Sequence, residues 1–331
     1  MFQSFDGHKA VHYQELDPGS EWIKDSDIAI NSNGPLDSGG VYTPNVIKVP
    51  SGGYRMYYFG FSTTGPKDKS VGSILSAYSD DAYNWNKEAG IRLDSYNKLP
   101  GGTSLSPDVI PLPDGRFRMY LSFKQKNRPD VILSAISDDG LDWKYEPGFR
   151  KADLYTSCGT PRCVYTKVGS NFKYRLYFFQ YKFPFGPVEK FEPGQDSMKH
   201  IVSAISDDGL NFEMESGIRV SQEFEFENYA IYAPDVVLLA DETYRMYYSS
   251  WEHAPEVTTT SKFHGRVFSA TSEDGLRWYK DPKICVDIGG PWDGIKASEP
   301  CVIDMPNGRS RLFYEACDVE GQWRILSATS V

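Results

Sequence analysis

Apolar and polar positions in this chain alternate in short runs rather than at helical spacing, and one such run recurs about every 60 residues. Its plainest form is Ile74-Leu-Ser-Ala-Tyr-Ser79, with further copies opening at Ile132, Ile201, Val267 and Ile325. Four copies continue into a turn of type Ser-Asp-Asp-Gly and then an aromatic residue at Trp85, Trp143, Phe212 or Trp278. A second run, Tyr54-Arg-Met-Tyr-Tyr58, precedes each of these, with copies opening at Phe117, Tyr174, Tyr244 and Ser310. Ahead of that lies a third, of type Thr43-Pro-Asn-Val-Ile47, with copies at Ser106, Thr160, Ala233 and Glu299. Aromatic and β-branched runs punctuated by Gly, Pro and Asp predict strands and tight turns, with Pro at the start of the innermost strand. The fifth copy stops at Val331, and Glu21-Trp-Ile-Lys-Asp-Ser-Asp-Ile-Ala-Ile30 resembles the outer strand it lacks. The expected fold is all-β: a five-bladed β-propeller, four antiparallel strands per blade, closed by the N-terminal strand completing blade five, which removes an open sheet edge. One domain, 1–331, would hold blades at about 41–93, 105–150, 159–220, 231–287, and 297–331 with 21–30.

Composition narrows the partners. Aromatics at 15%, with 29 Gly and 21 Pro, suit many short strands and turns. A net charge of −10 argues against nucleic acid or an anionic membrane, both of which need a basic surface. A neutral or cationic small molecule or an oligosaccharide is the expected ligand. The first residues lack the basic and apolar regions of a secretory signal, and no apolar run nears the ~18 residues of a membrane span, so the expected location is cytoplasmic. Five cysteines without CxxC spacing predict buried free thiols; no metal or other cofactor is expected.

Internal repetition separates scaffold from chemistry. Arginines present in all five copies (Arg55, Arg118, Arg175, Arg245, Arg311) read as partners within each blade, and the Ser-Asp-Asp-Gly turns as self-bonded loops rather than calcium sites. Fivefold likeness breaks beside the inner-strand prolines. The residue after Pro is Asn45, Asp108, Arg162, Asp235 or Cys301, and the residue before it is Thr43, Ser106, Thr160, Ala233 or Glu299. Asp108, Asp235 and Glu299 are therefore the candidate catalytic residues, since cleavage of a glycosidic bond needs two carboxyl groups about 5 to 10 Å apart, one of them protonated. The alternative is that Asp108 and Asp235 cap inner-strand N–H groups. Candidate substrate-binding residues are Asn45, Arg162, Gln180, Trp251, Glu252, His253 and Glu315, with Lys124 at another second-strand exit and Phe61 and Phe183 as further stacking surfaces. Asp37 and Asp293 read as loop anchors. Loops at 62–72, 182–200 and 251–265 would overhang this end.

The series x-Pro-x-Val-Ile, Tyr-Arg-Met-Tyr-Tyr and Ser-Ala-x-Ser-Asp-Asp-Gly-x-x-Trp resembles the five-bladed glycoside hydrolases, families 43, 32, 68, 62 and 130, over nearly the whole chain. The resemblance implies a glycosidase-like hydrolase of small glycosides, such as arabinofuranosides or fructofuranosides, with Asp108 as base or nucleophile, Asp235 as stabiliser and Glu299 as general acid. Two departures stand out. Asn45 occupies blade one where a family-43 enzyme usually has Asp, and Glu299-Pro-Cys lacks the spacer of the usual Glu-Gly-Pro. A phosphorylase, a lyase or isomerase reusing the pocket, and a non-catalytic carbohydrate-binding propeller are the alternatives.

Overall fold

The computed structural model describes residues 13–63, 72–94, 102–183, 199–257 and 262–331. Among them every regular element is a strand except the single 3-10 turn Glu225–Glu227. The strands form antiparallel four-strand units repeated in chain order. The first is Gly40–Lys48, Tyr54–Phe61, Gly72–Ser79 and Asn86–Lys87. The second is Gly102–Pro111, Phe117–Gln125, Val131–Ser137 and Lys144–Tyr145. Thr156–Val168, Asn171–Lys182, His200–Ser206 and Glu213–Met214 make the third. The fourth is Ala230–Leu238, Tyr244–His253, Phe263–Ser272 and Tyr279–Lys280. In the fifth, Lys296–Asp304, Ser310–Cys317 and Trp323–Ser330 are followed not by later sequence but by Trp22–Ile30, which pairs antiparallel with Trp323–Ser330. This is a β-propeller-like architecture.

Each repeated side chain has a repeated job. The second-strand arginines pair with acids in or directly after the outer strands: Arg55 with Glu88, Arg118 with Glu146, Arg175 with Glu215, Arg245 with Asp281 and Arg311 with Asp25. Tyr57, Tyr120 and Tyr177 each donate a hydroxyl to a turn carbonyl of the next unit, at Gly140, Gly209 and Gly275, all at 2.8 Å. Tyr247 does the same to Gly19, just ahead of Trp22–Ile30. Phe313, with no hydroxyl, meets Trp85 of the first unit edge-on at 5.5 Å. Within the turns, Asp81, Asp139, Asp208 and Asp274 each accept two backbone N–H bonds of their own loop, as their spacing predicted.

Hydrophobic cores lie between units rather than within them. Tyr57 and Ile74 pack with Met119 and Leu133, Tyr120 and Ile132 with Leu176, Tyr177 and Ile201 with Met246, and Tyr247 and Val267 with Leu312. Phe313 and Ile325 of the fifth unit pack with Met56 and Leu75 of the first. A sheet covered on both faces explains why Tyr54–Phe61 and its counterparts are buried almost throughout instead of on alternate residues.

Three expectations change. The inner-strand prolines sit inside their strands, where each pairing register skips, rather than at the strand start; a bulge frees the N–H that Pro lacks. The outer strands pair over only two residues, except Trp22–Ile30. Most of the overhanging loops, namely 64–71, 184–198 and 258–261, lie outside the described residues.

Candidate functional site

The five x-Pro bulges converge around one recess, lined by Thr43, Asn45, Ser106, Asp108, Thr160, Arg162, Ala233, Glu299 and the intervening prolines. Before each Pro the backbone turns left-handed, with φ 54° at Thr43, 52° at Ser106, 45° at Thr160, and 51° at Ala233 and Glu299. A non-glycine residue there costs on the order of 1–2 kcal/mol. The kink is met at five equivalent positions, so it belongs to the scaffold.

The residue after Pro stitches each inner strand to the next. Asn45 Oδ1 accepts the Val109 N–H at 2.9 Å, Asp108 Oδ2 that of Cys163 at 2.6 Å, Asp235 Oδ2 that of Val302 at 2.8 Å, and Cys301 Sγ that of Val46 at 3.2 Å. In the third unit the residue is Arg162, which has no acceptor to offer. Its guanidinium turns into the middle of the recess, donating to Asp108 Oδ1 at 2.6 Å and to Cys301 Sγ at 3.4 Å, with its other edge against Asp235 Oδ1. Burial opposes the charge on Arg162, but Asp108 and Cys301 outweigh it and raise its pKa. Burial likewise pushes the Asp108 carboxyl up, against the pull of Arg162 and the Cys163 N–H.

Asp108 and Asp235 are each 1% exposed, and both Asp108 oxygens are engaged. Beside the expectation of Asp108 as base and Asp235 as stabiliser stands the reading of both as caps of inner-strand N–H groups: four of five copies carry an acceptor at this position, each taking an N–H of the adjoining strand. Arg162 and Asn45, expected to bind substrate, are occupied within the same network, Asn45 Nδ2 donating to Asp108 at 3.2 Å.

Glu299 is different. Its position before Pro holds Thr, Ser or Ala elsewhere, its side chain is partly exposed, and its carboxyl lies 3.5 Å from Ser106 Oγ. Glu315 lies behind it, 4% exposed, accepting from Ser298 Oγ at 2.9 Å and the Thr43 N–H at 3.3 Å. Ser122 and Ser249, its counterparts on other second strands, accept the equivalent N–H of Thr160 and Glu299, each at 2.7 Å. Glu315 thus does the backbone work of a serine and adds a carboxyl. Burial raises the pKa of both glutamates, and the Glu315 charge pushes Glu299 further, well above the ordinary value.

Around this pair stand Lys199, Lys296, Tyr232 and Trp251. Burial lowers Lys199 to about 8 and also lowers Lys296, while burial and the neighbouring glutamates raise Tyr232. Trp251 packs edge-on to Tyr232 at 4.9 Å and stacks on Phe263 at 5.5 Å. Of the other predicted residues, Gln180 lies partly buried at a second-strand end, beside His200 in register. Glu252 is drawn to Arg266 at 2.6 Å, and His253 is exposed with its ring 5.8 Å from Phe263. Lys124 is exposed, and Phe61 and Phe183 are partly exposed. Asp37 and Asp293 are anchors, accepting from Tyr58 and Tyr314 and pairing with Lys87 and Lys24. Glu227 does likewise with Tyr248 and Lys280. Symmetry about Pro could not reveal Lys199, Lys296 or Tyr232, which stand outside the compared positions; Tyr232, directly before Ala233, was the nearest signal.

No protein-family profile and no curated protein matches the sequence. Solved structures do share the fold. A structure described as a glycoside hydrolase aligns over 93% of this chain and 92% of its own at TM-score 0.69 and 16% identity. A thermostable family-43 glycoside hydrolase aligns over 87% and 88% at TM-score 0.65 and 18% identity. An N-acetylgalactosamine deacetylase from F. plautii, in complex with blood group B trisaccharide, aligns over 93% and 95% at TM-score 0.64 and 14% identity. At such identities the likeness is one of fold, and that fold hosts more than one chemistry.

Proposed function

We propose that this chain is a single-domain, five-bladed propeller that acts as a glycosidase-like hydrolase on a small glycoside at the recess, with Glu299 as the general acid. The blades are the five strand units, with limits near 41–93, 105–150, 159–220, 231–287, and 297–331 joined by 21–30. The observation that carries the chemistry is the carboxyl pair: Glu299, partly exposed, beside the Ser106 hydroxyl, its pKa pushed well above the ordinary value by burial and by the Glu315 charge. A protonated carboxyl at neutral pH is what departure of a glycosidic oxygen requires. In the step proposed, the anomeric C–O bond breaks as the Glu299 proton passes to the leaving oxygen. A water oxygen bonds to the anomeric carbon and its proton passes to solvent. Arg162, Asp108 and Asp235 hold the floor of the recess rigid. The neighbours described as glycoside hydrolases favour carbohydrate as the ligand class.

Glu299→Gln tests this on aryl glycosides including arabinofuranosides and fructofuranosides. The expected result is a fall in kcat of at least ~10²-fold with substrate affinity kept, as for loss of a general acid. Turnover equal to that of the parent protein would remove Glu299 from the reaction.

A further inference from the structure

Two carboxyls stand together in the fifth unit, and acid chemistry at Glu299 needs the proton of the pair to stay on that residue. The strand register fixes how their neighbours are placed. Ser298 lies opposite Glu315, and Lys296, two residues earlier on the same strand, lies opposite Cys317. Alternation along paired strands puts Lys296, Ser298, Glu315 and Cys317 on one face. Glu299 follows directly, at the register skip of the bulge and in left-handed backbone.

Both oxygens of Glu315 are taken by donors. Ser298 Oγ donates to Oε1 at 2.9 Å, and the Thr43 N–H donates to Oε2 at 3.3 Å. The Lys296 ammonium, 2% exposed and held 4.6 and 5.2 Å from the ring centres of Trp251 and Trp323, attracts the same carboxylate. Glu299 has no comparable set: among the described residues, the hydrogen-bond partner of its carboxyl is Ser106 Oγ at 3.5 Å. An ionised carboxyl only accepts, so a buried one is stabilised by the donors and cations turned toward it. Glu315 also stands where the other second strands carry Phe59, Ser122, Phe179 or Ser249, so the scaffold does not require its charge.

The other titratable groups leave this assignment in place. Tyr42 and Tyr232 face Glu315 from the first and fourth units, and Cys317 from its own strand. Burial pushes the two phenols and the thiol up, so these groups stay uncharged. Glu299 is faced by Glu315, Tyr232, Lys199 and Lys296.

We propose that Ser298 and Lys296 are positioning residues: with the Thr43 N–H they hold the negative charge of the pair on Glu315, and so leave the proton on Glu299. This deepens, and rests on, the reading of Glu299 as the acid of the recess. Each acts through Glu315 rather than on the sugar.

The test is a pH titration of the full chain, labelled with carbon-13 at the glutamate side-chain carboxyls and followed by NMR without substrate. Glu299→Gln and Glu315→Gln assign the signals, and the one missing from Glu315→Gln should be the one that titrates at lower pH in the parent. A coupled pair ionises in two steps. With Glu315 ionising first, loss of the Ser298 donor disfavours every state that carries its charge. Ser298→Ala should therefore raise the lower step by about one pH unit, the worth of one hydrogen bond to a charged group, and leave the upper step in place. With Glu299 ionising first, the same variant would move the upper step instead. Lys296→Met removes the cation but neither hydrogen bond, and should raise the lower step more than the upper; it decides the matter alone where Ser298→Ala does not fold. Movement of the upper step alone, unmoved steps in the folded variants, or a parent in which Glu299 titrates first would overturn the proposal. Glu299-dependent turnover with the upper step moved would leave the hydrolase reading standing and this one fallen; a raised lower step in a chain without turnover would do the reverse.

Discussion

A carboxyl can serve the backbone or the solvent-facing recess, and its neighbours decide which. Asp108 is bound by the Cys163 N–H, Asn45 and Arg162, so Asp108→Asn should act on stability. The amide would turn a donor toward Arg162 and leave a charge of the triad uncompensated, a loss of about 3 kcal/mol, seen as a lower denaturant midpoint. A side chain acting only as a base would lose turnover at unchanged midpoint. Glu299 and Glu315 make stability depend on pH. Their pKa values are raised in the fold, so the unfolded chain releases these protons first. Their contribution is complete below about pH 4, the unfolded carboxylate value, and is lost as pH rises through the folded values. Glu299→Gln has no proton to lose. Its Tm should match the parent near pH 4 and exceed it by about 2–5 °C at pH 8; a constant difference across that range would contradict the raised carboxyl.

The inner strands form the next scale. Each bulge spends left-handed backbone at Thr43, Ser106, Thr160, Ala233 and Glu299 to aim one residue into the recess and the residue after Pro at the adjoining strand. Arg162 is the member that cannot accept, and its charge instead ties Asp108 of the second unit to Asp235 of the fourth. Arg162→Met should cost about 3–5 kcal/mol, because two buried carboxylates lose their shared counter-ion. Arg162→Met with Asp108→Asn and Asp235→Asn should recover part of that loss. Chemical denaturation of the three proteins measures both effects, and a single variant as stable as the parent would exclude the triad as a structural tie.

At the scale of the molecule, stability depends on an N-terminal strand closing the last unit. Asp25 accepts from Arg311, Ser327 and Thr329, Lys24 pairs with Asp293, and Gly19 receives the Tyr247 hydroxyl. Removal of residues 1–30 should expose the edge of Trp323–Ser330 and leave Arg311 without its carboxylate. Self-association, read by light scattering, and a Tm lower by about 10 °C or more are the expected results, since the strand also covers part of two cores. A truncated chain as stable as the parent and no more self-associated would mean that closure lies elsewhere.

Repetition made the strands, their order, the arginine pairing, the self-bonded turns and the pairing of Trp22–Ile30 with the chain end legible in the sequence, because each is enforced by local chemistry copied along the chain. Glu299 was legible as a departure from the copies and Glu315 as a second-strand exit. The sequence alone could not show which departures are tied to the backbone of an adjoining strand. Asp108 and Asp235 break the pattern as plainly as Glu299 does, yet each bonds the N–H of an adjoining inner strand, 55 and 67 residues on. Lys199 and Lys296 break no pattern and meet at one indole only when separate units come together. Whether a carboxylate is a tie or an acid depends on the groups around it in space, and only the tertiary structure supplies those.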